Sequence, residues 1–161
     1  MSRTALHWAA ILCLHEITRE LLIAGAEVDM KDENGATALH LAANSGCYEV
    51  VEMLMAQSAD VTSQDNFGRS ALHLAAWNGW EDIVRSFLKA SAGIESLQDK
   101  DGATALHLAV ERRCTGVVKL LKDVGASVVV RDKLGWTPMD LAQKLWEKDE
   151  LALLKVGRGN P

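Results

Sequence analysis

Four histidines recur at a nearly constant spacing, and histidine is a side chain that can bind a metal ion or transfer a proton at neutral pH. They are His7, His40, His73 and His107, separated by 33, 33 and 34 residues. If each lies on its own helical unit, neighbouring histidines are about 10 Å apart, the usual distance between packed helices. Because ligands lie about 2 Å from a metal ion, such a ladder cannot share one. We therefore predict a structural role for these histidines and no bound metal.

The cysteines Cys13, Cys47 and Cys114 are the other candidates for chemistry. Cys47 and Cys114 are two spacings apart, about 20 Å at the same packing distance, which is too far for a disulfide. Cys13 with His7 and His15 would supply only three metal ligands, because no fourth lies at a useful spacing. At least one thiol stays unpaired and no glycosylation sequon is present, which predicts a reducing compartment, the cytoplasm or the nucleus.

Sequence motifs for common enzyme chemistry are absent. The chain contains no phosphate-binding G-x-x-x-x-G-K, no zinc-protease H-E-x-x-H and no dinucleotide-binding G-x-G-x-x-G. No cysteine lies in a context that would activate it as a nucleophile. We therefore expect no catalytic residue and no cofactor, in a protein that is not an enzyme.

The composition is that of one folded domain, with 161 residues of which 48% are apolar and 24% charged. A net charge of −5 disfavours nucleic acid, which binds basic surfaces. The mostly apolar stretch from Ala5 to Leu14 superficially looks like a short signal peptide, but His7 interrupts it. It is also far shorter than the roughly 20 residues that span a bilayer. We expect an intracellular protein that does not insert into a membrane.

The histidines belong to a longer internal repeat with three landmarks. The first is a four-residue motif: Thr4-Ala5-Leu6-His7, Thr37-Ala38-Leu39-His40, Ser70-Ala71-Leu72-His73, Thr104-Ala105-Leu106-His107 and, more loosely, Thr137-Pro138-Met139-Asp140. The second is an aspartate with a glycine three residues later: Asp32 and Gly35, Asp65 and Gly68, Asp99 and Gly102, Asp132 and Gly135. The third is a pair of small residues: Gly25-Ala26, Ser58-Ala59, Ser91-Ala92 and Gly125-Ala126. Three landmarks in one phase indicate a repeat protein.

Each landmark predicts a local structure. Aspartate at the first and glycine at the fourth place favour a type I β-turn, which we call the finger. The threonine or serine that follows can cap a short helix of about two turns, helix A, and Pro138 suits the first helical position. A polar break then leads to helix B, whose apolar stripe in repeat 2 is Val50, Val51, Leu54 and Met55. Gly25 and Gly125 suit its left-handed C-terminal cap.

The finger, helix A with its Thr-Ala-Leu-His motif and helix B ending in Gly-Ala resemble the ankyrin repeat. The resemblance implies an all-α ankyrin-repeat solenoid, in which helix-turn-helix pairs are joined by β-turn fingers. We expect a single domain over 1–161, with repeats 1 to 5 at 1–31, 32–64, 65–98, 99–131 and 132–154 and a tail at 155–161. The family implies that each motif histidine hydrogen-bonds the backbone between neighbouring fingers. Repeat 1 lacks its finger and repeat 5 is polar, so we expect a monomeric fragment of a longer array.

The resemblance also implies a function, since ankyrin repeats bind proteins on the concave face formed by the fingers and helices A. The residues expected to bind a protein or peptide partner are Phe67, Arg69, Trp77, Asn78, Lys100, Asp101, Arg112, Lys133, Leu134 and Trp136. Aromatic residues and arginine dominate protein interfaces. The alternative for each tryptophan is that it covers the neighbouring finger. Trp8, which takes the place of Leu41, Leu74 and Leu108, is expected in the core.

The charge distribution is uneven along the chain. Residues 1–111 carry 7 basic and 16 acidic groups, net −9, whereas residues 112–161 carry 10 and 6, net +4. Such a pattern would orient a partner whose acidic part faces repeats 4 and 5, unless these are ordinary solvated helix faces. Two functions therefore remain open: a scaffold or adaptor module that binds a partner in its groove, and a structural spacer within a longer array.

Overall fold

The computed structural model describes residues 2–154 apart from the side chain of Asp149, and the predicted tail 155–161 lies outside this range. Its helices are α1 (Ala5–Ile11), α2 (His15–Ile23), α3 (Ala38–Ser45), α4 (Tyr48–Ala56), α5 (Ala71–Asn78), α6 (Glu81–Ala90), α7 (Ala105–Glu111), α8 (Thr115–Asp123), α9 (Pro138–Leu145) and α10 (Lys148–Leu151). Odd-numbered helices are helices A and even-numbered helices are helices B. Between residues 2 and 154 the β pairing is limited to one antiparallel bridge, Gln98 with Thr104. The all-α fold class is confirmed.

Each helix A begins at the threonine or serine that the sequence predicts. Thr37 has an extended backbone at the N-cap of α3 and forms a reciprocal capping box with His40. The same box occurs at Thr4 and His7, Ser70 and His73, Thr104 and His107, and Thr137 and Asp140. Two of these helices end at left-handed glycines, Gly46 and Gly79, each with φ +79°. Helix A is therefore seven or eight residues long, about the two turns expected.

Helix B supplies an apolar stripe to the core. The predicted stripe of α4 is buried at Val50, Val51 and Leu54, and the matching stripe of α6 is buried at Ile83, Val84 and Phe87. Met55 and Leu88 lie partly buried at the edge of these stripes. Burial of one helix face against the small Ala-rich helices A is the principal source of stability for helices this short.

The helix pairs stack in chain order. Helices A form one row, in which α1 contacts α3, α3 contacts α5, α5 contacts α7 and α7 contacts α9, while α2, α4, α6 and α8 form a second row. This nearest-neighbour stacking is that of a solenoid. The residue inserted between Ile94 and Asp99 is accommodated by a 3₁₀ helix at Ile94–Ser96. Within the described residues, no helix is long and apolar enough to cross a bilayer.

The fingers are held by their aspartates and joined to one another. Asp65 Oδ1 accepts hydrogen bonds from the backbone N–H groups of Phe67 (2.8 Å) and Arg69 (2.9 Å). Gly68 has φ +77°, and a Cβ atom there would lie 2.6 Å from the backbone nitrogen of Lys100. That nitrogen donates to Phe67 O at 2.9 Å, so the close approach links two fingers. Equivalent links join Asn66 N to Asn34 O and Lys133 N to Asp101 O, each at 2.8 Å.

The prediction that Trp8 lies in the core is wrong. Its side chain is 50% exposed, and the Cζ atom of Arg3 lies 5.2 Å from its ring centroid. At the same register Leu41 is partly buried and Leu74 is 9% exposed, and both line the cavity bordered by the finger residues Asp32 and Ala36. Since α1 has a helix A neighbour on one side, α3, a ring larger than leucine at this position stays in contact with solvent.

The structure contains a cysteine pair that was not considered from the sequence. Cys13 and Cys47 form a disulfide with a Cα–Cα distance of 5.2 Å, and Cys114 is free. Cys13 has a left-handed backbone, φ +55°, at the position of Gly46 and Gly79 in the next repeats. The turn of repeat 1 thereby meets the start of α4 in repeat 2. The cysteine pattern therefore gives less support to a reducing compartment, and the intracellular location stays a prediction.

Candidate interaction surface

The motif histidines hold neighbouring repeats in register. His40 Nδ1 accepts a hydrogen bond from the backbone N–H of Thr37 (3.2 Å), so its proton is on Nε2, which donates to Arg69 O (3.0 Å). The same carbonyl contacts are made by His7 to Ala36, His73 to Ala103 and His107 to Trp136, at 3.1 to 3.2 Å. The histidine bond between neighbouring fingers is therefore confirmed. With both nitrogens occupied by the chain, these rings have no lone pair to offer a metal.

Burial favours the neutral form of three of these rings. It lowers the pKa of His40, His73 and His107 below the ordinary value of 6.5, although the carbonyl bond that each ring makes acts in the opposite direction. His40, His73 and His107 thus form an uncharged support beneath the surface between fingers and helices A, which we call the groove.

The groove contains two adjoining cavities. One of about 200 Å³ is lined by Asn44, Arg69, Leu74, Trp77, Asp99 and Leu108. A second of about 440 Å³ is lined by Arg3, Asp32, Asn34, Ala36, Leu41, Asn44, Asp65, Phe67, Arg69 and Leu74. Because Asn44, Arg69 and Leu74 line both, the two form one continuous depression across repeats 1 to 4. Three leucines, Leu41, Leu74 and Leu108, form its floor, and the other lining side chains are mostly polar or aromatic.

A cation lies over the face of each aromatic ring along this surface. The pairs are Arg3 over Trp8 at 5.2 Å, Arg69 over Phe67 at 4.7 Å, Arg112 over Trp77 at 4.8 Å and Lys144 over Trp136 at 5.0 Å, measured from the cationic centre to the ring centroid. Such contacts are attractive and hold long side chains in place. The surface therefore presents ordered charged and aromatic groups, the residue types enriched in interfaces.

Comparison with known proteins decides the family. A sequence model described as ankyrin repeats (3 copies) matches residues 1–65 and 57–132. The chain belongs to the ankyrin-repeat family. Ankyrin repeats are protein-interaction modules. The chain is also 42% identical over 57 residues, 35% of its length, to protein phosphatase 1 regulatory subunit 12A of Mus musculus and of Rattus norvegicus. It spans 5% of the length of those relatives.

The predicted binding residues of this ankyrin chain fall into two groups. Phe67, Arg69 and Trp77 line the cavities of the groove. Beside them, Asn78 donates from Nδ2 to Leu74 O at 2.9 Å, and Arg112 covers Trp77.

The second group lies on the fingers, away from both cavities. It consists of Lys100, Asp101, Lys133, Leu134 and Trp136. Leu134 is 81% exposed, the most exposed of the large apolar side chains in the described range. These residues extend the surface on which the groove opens, and their role in binding stays a prediction.

Sequence reasoning missed two groove residues of repeat 1, Arg3 and Trp8. Arg3 lines the larger cavity and its Nε atom donates to Asp32 Oδ2 at 3.2 Å. Arg3 is at the register of Arg69 and Trp8 is at the register of Leu74, both groove residues. The repeat spacing therefore contained the signal, but the Trp-for-Leu replacement was taken for a core substitution.

Proposed function

We propose that this chain is a non-catalytic protein-binding module, a scaffold or adaptor, whose groove holds a partner protein or peptide. The observation that carries the proposal is the continuous depression with a leucine floor, bordered by Phe67, Trp77 and Arg69. Interface energy concentrates in a few aromatic and arginine side chains in desolvated pockets. Trp77 meets this description, because it lines the smaller cavity and is partly buried.

The relatives support an interaction role at a coarse level. Their name makes them regulatory subunits of protein phosphatase 1, and a subunit acts in association with another protein. Since the chain spans 5% of those proteins, we assign it no phosphatase as partner. We place the partner in the protein class and not among nucleic acids, because the net charge of −5 opposes phosphate binding.

Capture of a partner with groove variants tests the proposal. Immobilised wild-type chain is incubated with lysate, the retained proteins are identified, and the affinity of each for purified chain is then measured. Trp77→Ala and Trp136→Ala should each reduce the binding free energy of a genuine partner by about 2 kcal/mol, which is roughly a thirtyfold loss of affinity. Tyr48→Ala is the matched control, because Tyr48 is an exposed aromatic on the helix B α4 and not on a finger or a helix A. If the affinity falls equally in all three variants, or does not fall in Trp77→Ala and Trp136→Ala, groove binding is refuted.

A second function, that of a structural spacer, is favoured by the open end of repeat 1. Ile17 on α2 is 52% exposed, whereas its counterparts Val50, Ile83 and Val117 are 1 or 2% exposed in the interfaces between repeats. A further repeat stacked on α1 and α2 would cover Ile17. In that case Ile17→Asp should destabilise a longer protein containing this segment, and the groove variants should leave its interactions unchanged.

A further inference from the structure

Two of the four cation–aromatic pairs in the groove are neutralised within the chain. Arg69 donates from Nε (3.0 Å) and Nη2 (2.7 Å) to Oδ2 of Asp65. Arg3 donates from Nε to Oδ2 of Asp32 at 3.2 Å. Both carboxylates are buried under their arginines, so the N-terminal part of the groove supplies its own counter-charges.

The other two pairs have no such partner. Between residues 2 and 154, no ion pair is formed by Arg112, which covers Trp77, or by Lys144, which covers Trp136. Lys144 is exposed on α9, and Arg112 is exposed at the C-cap of α7. The C-terminal part of the groove therefore presents two cations that face solvent alone.

Carboxylates on the same two helices do not change this picture. Asp140 on α9 accepts from the backbone N–H of Thr137 at 3.0 Å and lies 3.6 Å from Nη1 of Arg131. Glu111 on α7 is exposed and, like Arg112, makes no ion pair in the described range. Residues 112–154, the described part of this segment, carry 8 basic and 6 acidic side chains, a net charge of +2.

Stacking on an aromatic ring prepares a cation for an anionic ligand. The ring covers one face of the Arg112 guanidinium and leaves its N–H edge available, the edge that binds a carboxylate with two parallel hydrogen bonds. The ring also restricts the long side chain before binding, which reduces the entropy lost on association. Lys144 over Trp136 is a second, point-like positive charge one repeat further along.

We infer that the groove binds an acidic, extended segment of a partner protein. This inference rests on the proposed function of the groove. One carboxylate of the segment binds Arg112 and another binds Lys144, while an apolar side chain enters the cavity floored by Leu74 and Leu108. Since Arg112 lies over Trp77 of repeat 3 and Lys144 lies over Trp136 of repeat 5, the two charges are one to two helix spacings of about 10 Å apart. An extended chain advances about 3.3 Å per residue, so the two acidic residues are about three to six positions apart.

Selection from a random peptide library displayed on phage tests the inference without a known partner. The wild-type chain should enrich peptides with Asp or Glu at two positions about three to six apart, together with a large apolar residue. The double variant Arg112→Gln/Lys144→Gln should lose the acidic preference and bind the selected peptides at least tenfold more weakly. Arg85→Gln is the matched control, because Arg85 is an exposed arginine on the helix B α6 and not on a finger or a helix A. This variant should bind as the wild type does.

Two failures are distinguishable. If no selected peptide loses affinity in Trp77→Ala or Trp136→Ala, the groove is not a binding site, and both the proposed function and this inference fall. If selected peptides depend on those tryptophans but carry no excess of acidic residues and bind Arg112→Gln/Lys144→Gln normally, the groove binds proteins and the acidic inference alone is wrong. A selected acidic peptide whose affinity does not fall between 50 and 500 mM salt also overturns it, because exposed charges are screened over this range.

Discussion

The Nε2 atom of His73 lies 3.2 Å from the carbonyl oxygen of Ala103, and this bond joins helix A of one repeat to the finger of the next. On the other side of the ring, Nδ1 accepts from the backbone N–H of Ser70 at 3.1 Å. A proton added to Nδ1 would end its acceptor contact with the Ser70 N–H and would leave the Ser70 hydroxyl, 2.8 Å away, as its nearest acceptor. Nε2 would still donate to Ala103 O, so it is the burial of the ring, and not the bond between the repeats, that favours the neutral form.

Stability should fall as the pH is lowered from about 7 to 5.5. An unfolded histidine binds its proton near pH 6.5, whereas the folded rings of His40, His73 and His107 bind theirs only at lower pH. Protons therefore favour the unfolded state: the full contribution of these rings is present above pH 6.5 and is lost between 6.5 and their lowered pKa. The loss is at most about 1.4 kcal/mol per histidine per pH unit. Urea unfolding at pH 5.5, 6.5 and 7.5 measures it.

Replacement of one histidine separates this effect from general acid denaturation. His73→Gln should be less stable than the wild type at pH 7.5, because a buried bond between repeats is lost. Its stability should also fall less steeply between pH 6.5 and 5.5, since one of the three shifted rings is gone. An unchanged slope would contradict the assignment of the pH dependence to these histidines.

Truncation of Trp8 should cost little stability. Replacement of a core tryptophan by alanine lowers the free energy of unfolding by about 3–5 kcal/mol. Because half of the Trp8 side chain is in solvent, we expect a loss of about 1 kcal/mol for Trp8→Ala. Leu106→Ala is the buried comparison and should lose about 2–5 kcal/mol. Denaturant unfolding measures the stability of both variants. Equal losses of stability would indicate that Trp8 is a core residue.

The sequence predicts the fold well because the repeat is defined by local contacts. Asp65 with Gly68, and Thr37 with His40, are each three residues apart, so their turns and caps follow from spacing alone. The groove position of Trp77 follows from the same register.

Features that depend on stacking between repeats were not predicted. Cys13 and Cys47 are 34 residues apart, one more than the repeat, and only the packed repeats show that the left-handed turn residue of one repeat meets the first residue of helix B in the next. Gly46 meets Trp80, and Gly79 meets Cys114, in the same way. The exposure of Trp8 likewise depends on which neighbours cover it.

Alanine at Gly46 should be more harmful than alanine at Gly125. Both glycines are left-handed, with φ +79° and +88°, and each replacement costs about 1–2 kcal/mol in backbone strain. At Gly46 the added Cβ atom would also lie 2.7 Å from the ring of Trp80, whereas at Gly125 it would meet nothing within 4 Å. Trp80 would have to move and give up its 3.3 Å bond to Asn44 O. In thermal unfolding, Gly46→Ala should have a lower melting temperature than Gly125→Ala. Equal melting temperatures would show that Trp80 moves at no cost.

Reduction of the Cys13–Cys47 disulfide should loosen repeat 1. The bond closes a loop of about 35 residues, and loss of such a constraint costs about 3–4 kcal/mol in the chain-entropy account. In this chain repeat 1 packs on repeat 2 through the contacts of α1 with α3 and of α2 with α4, and an element with few neighbours opens before one packed on both sides. Hydrogen exchange of the oxidised chain should show residues 4–24 well protected, and reductant should increase their exchange far more than that of residues 70–90.

Cys13→Ala provides the control for this effect. Alanine keeps a Cβ atom at the left-handed position of Cys13, φ +55°, so the backbone strain is matched while the bond is lost. This variant should exchange like the reduced wild type over residues 4–24 and should not respond to reductant. Cys114, whose pKa is raised by burial, stays a free thiol in both proteins and contributes no difference. If reduction leaves residues 4–24 as protected as residues 70–90, then the stacking of α1 on α3 holds repeat 1 without the disulfide.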